Sequence, residues 1–589
     1  MQHRGPDAEG FYFDEHAGIG LGHRRLSILD LSEAGNQPFY SRDGRYVMVY
    51  NGEMYNFREV AEKYNIVTRT SSDTEVIIEA FAQAGIACVN DFNGMFTIVI
   101  WDKQEKKLYL VRDRIGIKPL YYHYKDGQFI FASELKAILS LPFINKEIDN
   151  SSVSNFLYLG YIPGEDTIYT SCKKLKPGHY AVIDANGLQI NSYWKIEDKL
   201  KPETVKDELV AKNQLDKLVQ TSVAYCMISD VPLGIFLSGG VDSSLVAAVA
   251  QQQSAVSVKT FSIAFEDKKF NEAPFARQVA KHIGSQHHEF TVTEKEALLL
   301  TDSLLDVYDE PYADSSAIPT MMVSKLARQE VTVALSGDGG DELFMGYGFY
   351  YWARRLQNPL LSFVRKPAGL ALRLTGNKRF ERASTLFDYP SAKRRKSHIF
   401  SQEQYYFTEN EISNLLKNKA QIELDETIHY TERSFSWAEE QSFFDLKNYL
   451  PEELLVKTDR ASMKYSLEVR VPLLDHRLIE FALNLSPDLK LKGQTGKYLL
   501  KEVLYQYVPR EIFNRPKWGF AVPIGKWLKT DLRYLVDKYL DRKLIEECNL
   551  VKPDKVEALK NAYLGGKDYL YMRVWALIIL HKWFKEKHL

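Results

Sequence analysis

The run Phe236-Leu237-Ser238-Gly239-Gly240-Val241-Asp242-Ser243-Ser244 constrains this chain more than any other stretch. An apolar segment from Val231 to Leu237 leads into it and reads as a buried strand. Leu245-Val246-Ala247-Ala248-Val249-Ala250 leads out of it and reads as the start of a helix. A strand, a Gly-Gly turn and a helix N-terminus gather backbone N–H groups at one point, where the helix dipole adds positive potential. Gly239 and Gly240 let the backbone approach a phosphate with no Cβ in the way. Ser238, Ser243 and Ser244 offer short hydroxyl donors, and Asp242 can hold a magnesium ion against the same phosphates. No Lys-Ser/Thr pair follows the glycines, so this is not the Walker pattern.

The pattern Ser-Gly-Gly-x-Asp-Ser resembles the pyrophosphate loop of ATP pyrophosphatases, which cleave ATP to AMP and pyrophosphate and so adenylate a carboxylate or amide. The resemblance implies ATP contacts at Leu237, Ser238, Gly239, Gly240, Asp242 and Ser243. From about residue 205 onward strands and helices alternate, which argues for a parallel sheet with crossovers. Val258 to Phe265 reads as a second strand, Glu272 to Ile283 as its crossover helix, and His288-Glu289-Phe290 as the next strand. Ligands in such sheets bind beyond the carboxyl ends of strands, so Ile263 lies where an adenine could contact it or is one more core isoleucine. His287-His288 invites a metal reading, but adjacent strand residues point to opposite faces and no third ligand follows.

Another apolar strand, Val331 to Leu335, runs into Ser336-Gly337-Asp338-Gly339-Gly340-Asp341-Glu342. Acidic side chains this closely spaced repel one another unless a cation neutralises them, and beside phosphates magnesium is the natural one. With Phe344-Met345-Gly346-Tyr347 following, the loop resembles that of asparagine synthetases. The resemblance implies that Ser336 and Gly337 contact ATP and that Asp338 lies where the aspartyl adenylate forms and ammonia attacks. It also implies that Asp341, with Asp242, contacts magnesium or pyrophosphate. Asp309 to Ser316 matches the family too, and either orders the amino-acid substrate or caps the next helix. Lys457 to Met463 and Ser466 to Asp475 resemble a segment beside the active site. In Gly496-Lys497-Tyr498, Lys497 matches a lysine that neutralises phosphate charge as pyrophosphate leaves.

Residues 1–195 read as β-rich. Strand candidates are 46–50, 95–101, 108–111 and 129–132, separated by turn chemistry at Asp43-Gly44, Asn51-Gly52 and Asp126-Gly127. Thr74 to Ala84 has helical spacing, with Ser72 or Asp73 to cap it. The clusters His3 to Asp7, His23 to Asp30, Asn51 to Asn56 and Ser71 to Glu75 together resemble the glutamine amidotransferase domain of the N-terminal nucleophile class. That resemblance places the glutamine α-carboxylate on Arg25, the oxyanion hole at Asn51 and Gly52, Glu53 in the same glutamine site, and the α-ammonium on Asp73. The family's nucleophile is an N-terminal cysteine. This chain opens Met1-Gln2-His3-Arg4, already inside the family pattern, and neither Cys88 nor Cys172 can stand in. The expectations are a domain short of its cysteine segment, some exposed apolar surface, poor glutamine binding, and amidation from ammonia only.

The expected fold is thus an α+β N-terminal-nucleophile-type sandwich, incomplete, at 1–195, followed by an α/β parallel-sheet ATP-pyrophosphatase domain at 205–589. The expected reaction is ATP- and Mg2+-dependent conversion of aspartate to asparagine through β-aspartyl-AMP. Rivals are a related enzyme amidating another carboxylate, such as a cell-envelope sugar or a β-lactam precursor, and an inactive remnant that only binds a partner. A net charge of -1 gives no electrostatic case for nucleic acid or an acidic membrane. The basic run Lys393-Arg394-Arg395-Lys396 reads as a solvated face. The apolar run 574–580 is too short to span a bilayer, and 574–584 reads as an amphipathic core helix. Four scattered cysteines suggest neither zinc nor disulfides, and with them a cytoplasmic protein; the family leaves room for a homodimer.

Overall fold

The computed structural model describes residues 1–265, 271–358, 361, 365–375, 378–418, 420–514 and 522–588. The front part holds strands β1 (Ala8–Asp14), β2 (Ile19–Arg25), β3 (Phe39–Tyr40), β4 (Tyr46–Met54), β5 (Gly94–Asp102), β6 (Lys107–Arg112), β7 (Tyr121–Lys125), β8 (Gln128–Ala132), β9 (Lys173–Lys174), β10 (His179–Asp184) and β11 (Gly187–Ser192). Six form one antiparallel sheet in the order β11-β10-β6-β5-β4-β3, while β8-β7-β9 and the β1-β2 hairpin form a second layer. The period of two in β4 and β5 divides their side chains between two cores. Val47, Val49, Val99 and Trp101 meet Leu21, Leu120 and Leu175 beneath the second layer. Met48, Tyr50, Ile98 and Ile100 instead meet Val76, Ile77, Ala80 and Phe81 of the helix Asp73–Ala84. Ser72 caps that helix, accepting the Thr74 N–H. Phe11 and Phe13 of β1 stand exposed.

One expected turn is not a turn. Asp126-Gly127 does close the β7-β8 hairpin, both residues at positive φ. Asn51 and Gly52 instead lie inside β4, opposite Thr97 and Phe96 of β5. The ladder partner outweighs the turn preference of Asn-Gly, and a Cβ at position 52 would lie 2.0 Å from the Met95 carbonyl oxygen.

The rear part is built on β12 (Leu233–Phe236), β13 (Lys259–Phe265), β14 (Gln286–Val292), β15 (Val333–Leu335) and β16 (Glu468–Arg470). All pair in parallel, in the order β14-β13-β12-β15-β16. The chain leaves β12 outward through β13 and β14, then returns to its other side for β15 and β16. The carboxyl ends of β12 and β15 therefore flank a topological switch point, where such sheets open a ligand crevice. Both glycine-rich acidic loops emerge there.

Two other expectations are corrected. Arg395 and Lys396 are buried in the helix Arg395–Glu403. The Arg395 guanidinium lies 3.5 Å from the Trp437 ring centroid and pairs with Glu440, while Arg394 bonds Glu426 at 3.1 Å. Aromatic and acidic partners from a distant segment desolvate what reads locally as a surface charge run. The C-terminal helix Tyr571–Lys587 is buried on every side from Met572 to Phe584, so it is a central helix rather than an amphipathic one.

The two parts meet through buried charges. Arg4 clamps Asp459 with bonds of 2.8 and 3.0 Å and also reaches Glu134, which Arg460 contacts at 3.0 Å. Arg470 bridges Glu468 of its own strand and Glu53 of β4.

Candidate active sites in two cavities

The larger cavity, about 750 Å3, lies at the switch point of the parallel sheet. Its floor is the loop after β12. Ser238 and Ser243 bond through their hydroxyls at 3.1 Å, and the Gly240 N–H donates to Ser238 Oγ at 3.2 Å. Gly239 has φ +72°, and a Cβ there would lie 2.7 Å from the backbone of the helix Ala273–Ile283. Asp242 sits in the first turn of the helix Val241–Gln253. The second loop packs directly on the first: a Cβ on Gly337 would lie 2.6 Å from the Ser243 nitrogen, and one on Gly340 would lie 2.4 Å from Asp242 Oδ1.

Lys497 joins the two loops. Its Nζ bonds an Asp242 carboxylate oxygen and lies 2.7 Å from Asp341 Oδ1. Burial works against its charge, but Asp242 and Asp341 prevail and hold its pKa above the usual lysine value. Lys497 takes a left-handed backbone conformation, φ 55°, that turns its N–H onto the Phe344 carbonyl at 2.9 Å. Asp338 accepts the hydroxyls of Ser336 and Thr458, each at 3.0 Å. Glu342, also in the cavity wall, accepts the Tyr347 hydroxyl, and burial, then the Asp341 charge, push its carboxyl up to about 7.

The expected ATP residues Leu237, Ser238, Gly239, Gly240, Asp242, Ser243, Ile263, Ser336 and Gly337 all line this one cavity, with Asp338, Asp341 and Lys497. Among the described residues no cluster of three or more His, Cys, Asp or Glu could hold a metal by itself. Asp242 and Asp341 fit the other mode, in which a hard cation takes one or two carboxylates and completes its shell with phosphates and water. His287 and His288 take no part: His287 bonds Thr260 and Ser262, and His288 stacks on Phe261.

The undecided segment 309–316 divides. Asp309 and Glu310 are structural, held by Arg460 and by the Ile168 N–H, whereas Asp314, Ser315 and Ser316 line the cavity. Lys457, first residue of the 457–463 segment expected beside the active site, lines the cavity with two groups that have no local signature, Glu453 and the ring of Tyr449. The four-residue step from Glu453 to Lys457 is the one hint in the sequence, and it fits any helix.

The second cavity, about 390 Å3, opens in the front part and is lined by Arg25, Asn51, Gly52, Glu53 and Asp73. Arg25 is buried and donates to the carbonyls of Leu29, Asp30 and Ser32 and to Asn36 Oδ1, so it also ties down its own loop. Asp73 accepts the Tyr50 hydroxyl and the Met54 N–H, both at 2.8 Å. Asn51 Nδ2 donates to Ser133. Burial raises the Glu53 pKa well above the carboxylate range against the pull of Arg470. A guanidinium beside carboxylates suits an amino-acid zwitterion. All four cysteines are buried and none lines this cavity. Among the described residues no helix is long and apolar enough to cross a membrane.

Comparison with known proteins matches residues 214–585 to the asparagine synthase family and residues 1–194 to the glutamine amidotransferase domain family. The chain is 34% identical to asparagine synthetase [glutamine-hydrolyzing] 1 of Bacillus subtilis, over 99% of this chain and 91% of that one. It is 41% identical to a putative asparagine synthetase [glutamine-hydrolyzing] 2 of Methanocaldococcus jannaschii, over 64% of this chain and 76% of that one. A solved allosteric regulatory enzyme of purine biosynthesis covers 46% of this chain, with 66% of its own, at 12% identity and a TM-score of 0.24, too slight a likeness to bear on the fold.

Proposed function

The chain belongs to the glutamine-hydrolysing asparagine synthetase family, and from that premise we propose that it amidates aspartate to asparagine at the expense of ATP, in the presence of Mg2+. A side-chain carboxylate oxygen of aspartate attacks the α-phosphorus of ATP held by the Ser238–Ser243 loop, and pyrophosphate leaves. Ammonia then adds to the activated carbonyl beside Asp338, and AMP departs with the carboxylate oxygen. Adenylation supplies the leaving group without which ammonia could not displace an oxygen. Lys497 offsets the charge that develops on the departing pyrophosphate. When bound, Mg2+ would lie with Asp242 and Asp341 and screen the phosphates.

The observation that carries this reading is the meeting of Asp242, Asp341 and Lys497 in one cavity with Asp338. Lys497 and Asp242, 255 positions apart, share a buried ion pair at a phosphate-type turn, and charged groups gathered in a cleft mark a functional site.

The nitrogen source is the second part of the proposal. The amidotransferase cavity keeps a zwitterion site but draws on none of the chain's cysteines. We propose ammonia as the nitrogen donor that the polypeptide of this sequence uses. Pyrophosphate release and asparagine formation are measured with ATP, aspartate and either ammonium or glutamine. Product from ammonium alone is expected. Equal rates with both donors would remove the second part, and no pyrophosphate with aspartate under any condition would remove the first.

A further inference from the structure

We propose that Asp314, Glu453 and Lys457 form the subsite that grips the α-ammonium and α-carboxylate of an amino-acid acceptor, an inference that rests on the adenylating reading above. The three share one wall of the synthetase cavity. Glu453 is the last residue but one of the helical run Asp445–Leu454, Lys457 follows four residues later in Leu455–Met463, and both line the cavity. Asp314 approaches from the loop ahead of the helix Ala317–Ala327.

Lys457 Nζ lies 3.0 Å from Asp314 Oδ2 and 2.9 Å from Ser316 Oγ, which accounts for two of its three donors. Glu453 is 5% exposed and accepts the Tyr312 hydroxyl at 3.0 Å on Oε1. Its Oε2 is buried and receives no donor among the described residues. The polar group beside it is the Asp314 carboxylate; burial, then that charge, raise the Glu453 pKa well above the usual carboxylate value. Two buried carboxyl groups side by side repel each other when both are charged, and an ammonium between them relieves that repulsion. The ring of Tyr449, 6.0 Å from that of Tyr347, completes the wall with an aromatic face that also favours a cation.

The direction of the subsite fits the chemistry. Thr458, next to Lys457, holds Asp338 at 3.0 Å. An acceptor anchored through its α-groups at Glu453, Asp314 and Lys457 extends its side-chain carboxylate toward Asp338 and the nucleotide loops. Zwitterionic amino acids with a short acidic side chain are thereby selected, and a carboxylate without a neighbouring amine is disfavoured.

The test compares aspartate with succinate, which keeps both carboxylates and lacks only the ammonium, in the full chain and in Glu453→Gln and Asp314→Asn. Pyrophosphate release is read against acceptor and against ATP. The KM for aspartate is expected to rise about 10- to 100-fold in each variant, the loss of one hydrogen bond to a charged group. The KM for ATP stays within about twofold, and the preference of the unaltered protein for aspartate over succinate collapses in the variants. An unchanged aspartate KM with preference retained overturns the subsite. An unaltered protein that releases no pyrophosphate with aspartate overturns instead the reading beneath it. If either variant loses thermal protection by ATP, Tyr312→Phe replaces it. This milder change removes the hydroxyl that positions Glu453, with an expected threefold to tenfold rise of about one neutral hydrogen bond, and its failure to raise KM counts equally against the subsite.

Discussion

Gly346→Ala puts the architecture of the synthetase cavity to a quantitative test. A Cβ at position 346 would fall 1.9 Å from Asp341 Oδ1 and 2.2 Å from Lys497 Cε. Both are about 1.5 Å short of van der Waals separation, so the carboxylate or the lysine must move by roughly that amount. The backbone itself tolerates alanine, because φ at 346 lies outside the left-handed region. The fold should therefore survive while the Asp341–Lys497 contact of 2.7 Å is broken. A misplacement of about 1 Å in catalytic machinery costs on the order of 100-fold in rate, roughly 2.7 kcal/mol of transition-state stabilisation. The assay is kcat/KM for aspartate-dependent pyrophosphate release, with a thermal melt alongside. Gly348→Ala is the control, since its Cβ would meet only the end of the Glu403 side chain, at 3.3 Å. A Gly346→Ala protein within about threefold of the unaltered one would show that the carboxylate–lysine contact is not part of the working site.

Three further predictions follow from the same geometry. Lys497→Met should lower pyrophosphate release by about 1,000-fold, the scale for removing one preorganised charge at a developing anion; activity within tenfold of the original would refute the role. Asp459→Asn leaves the buried Arg4 without its bidentate partner and should cost about 3 kcal/mol of stability, read as a lower urea midpoint. An unchanged midpoint would mean that the inter-domain clamp carries no net stability. Glu342→Gln tests the pH linkage. With a folded pKa of about 7 against an unfolded value of about 4.3, Glu342 stabilises the fold fully below the unfolded value. That contribution is lost as pH rises through the folded value. The melting temperature of Glu342→Gln should therefore gain on the unaltered protein between pH 4.5 and pH 8; an equal difference at both ends would refute it.

The features decided locally were legible in the chain. The two glycine-rich acidic loops, the helix Asp73–Ala84 with its Ser72 cap and the Asp126-Gly127 hairpin rest on backbone freedom, capping and side-chain period within a few residues. The family resemblance rests on the same short segments. Contacts made over long separations were not legible in that way. Asn51-Gly52 reads as a turn until β5 offers it a ladder, and Lys393 to Lys396 reads as a surface run until Trp437 and Glu440 cover part of it. Arg4 and Asp459, 455 positions apart, form a buried clamp that no local pattern announces. Glu453 shows only a helical step, yet the tertiary structure turns it into a cavity wall beside Asp314. The physical reason is common to all four: a charge or an amide takes its meaning from whichever partner desolvates it, and only the folded chain chooses that partner.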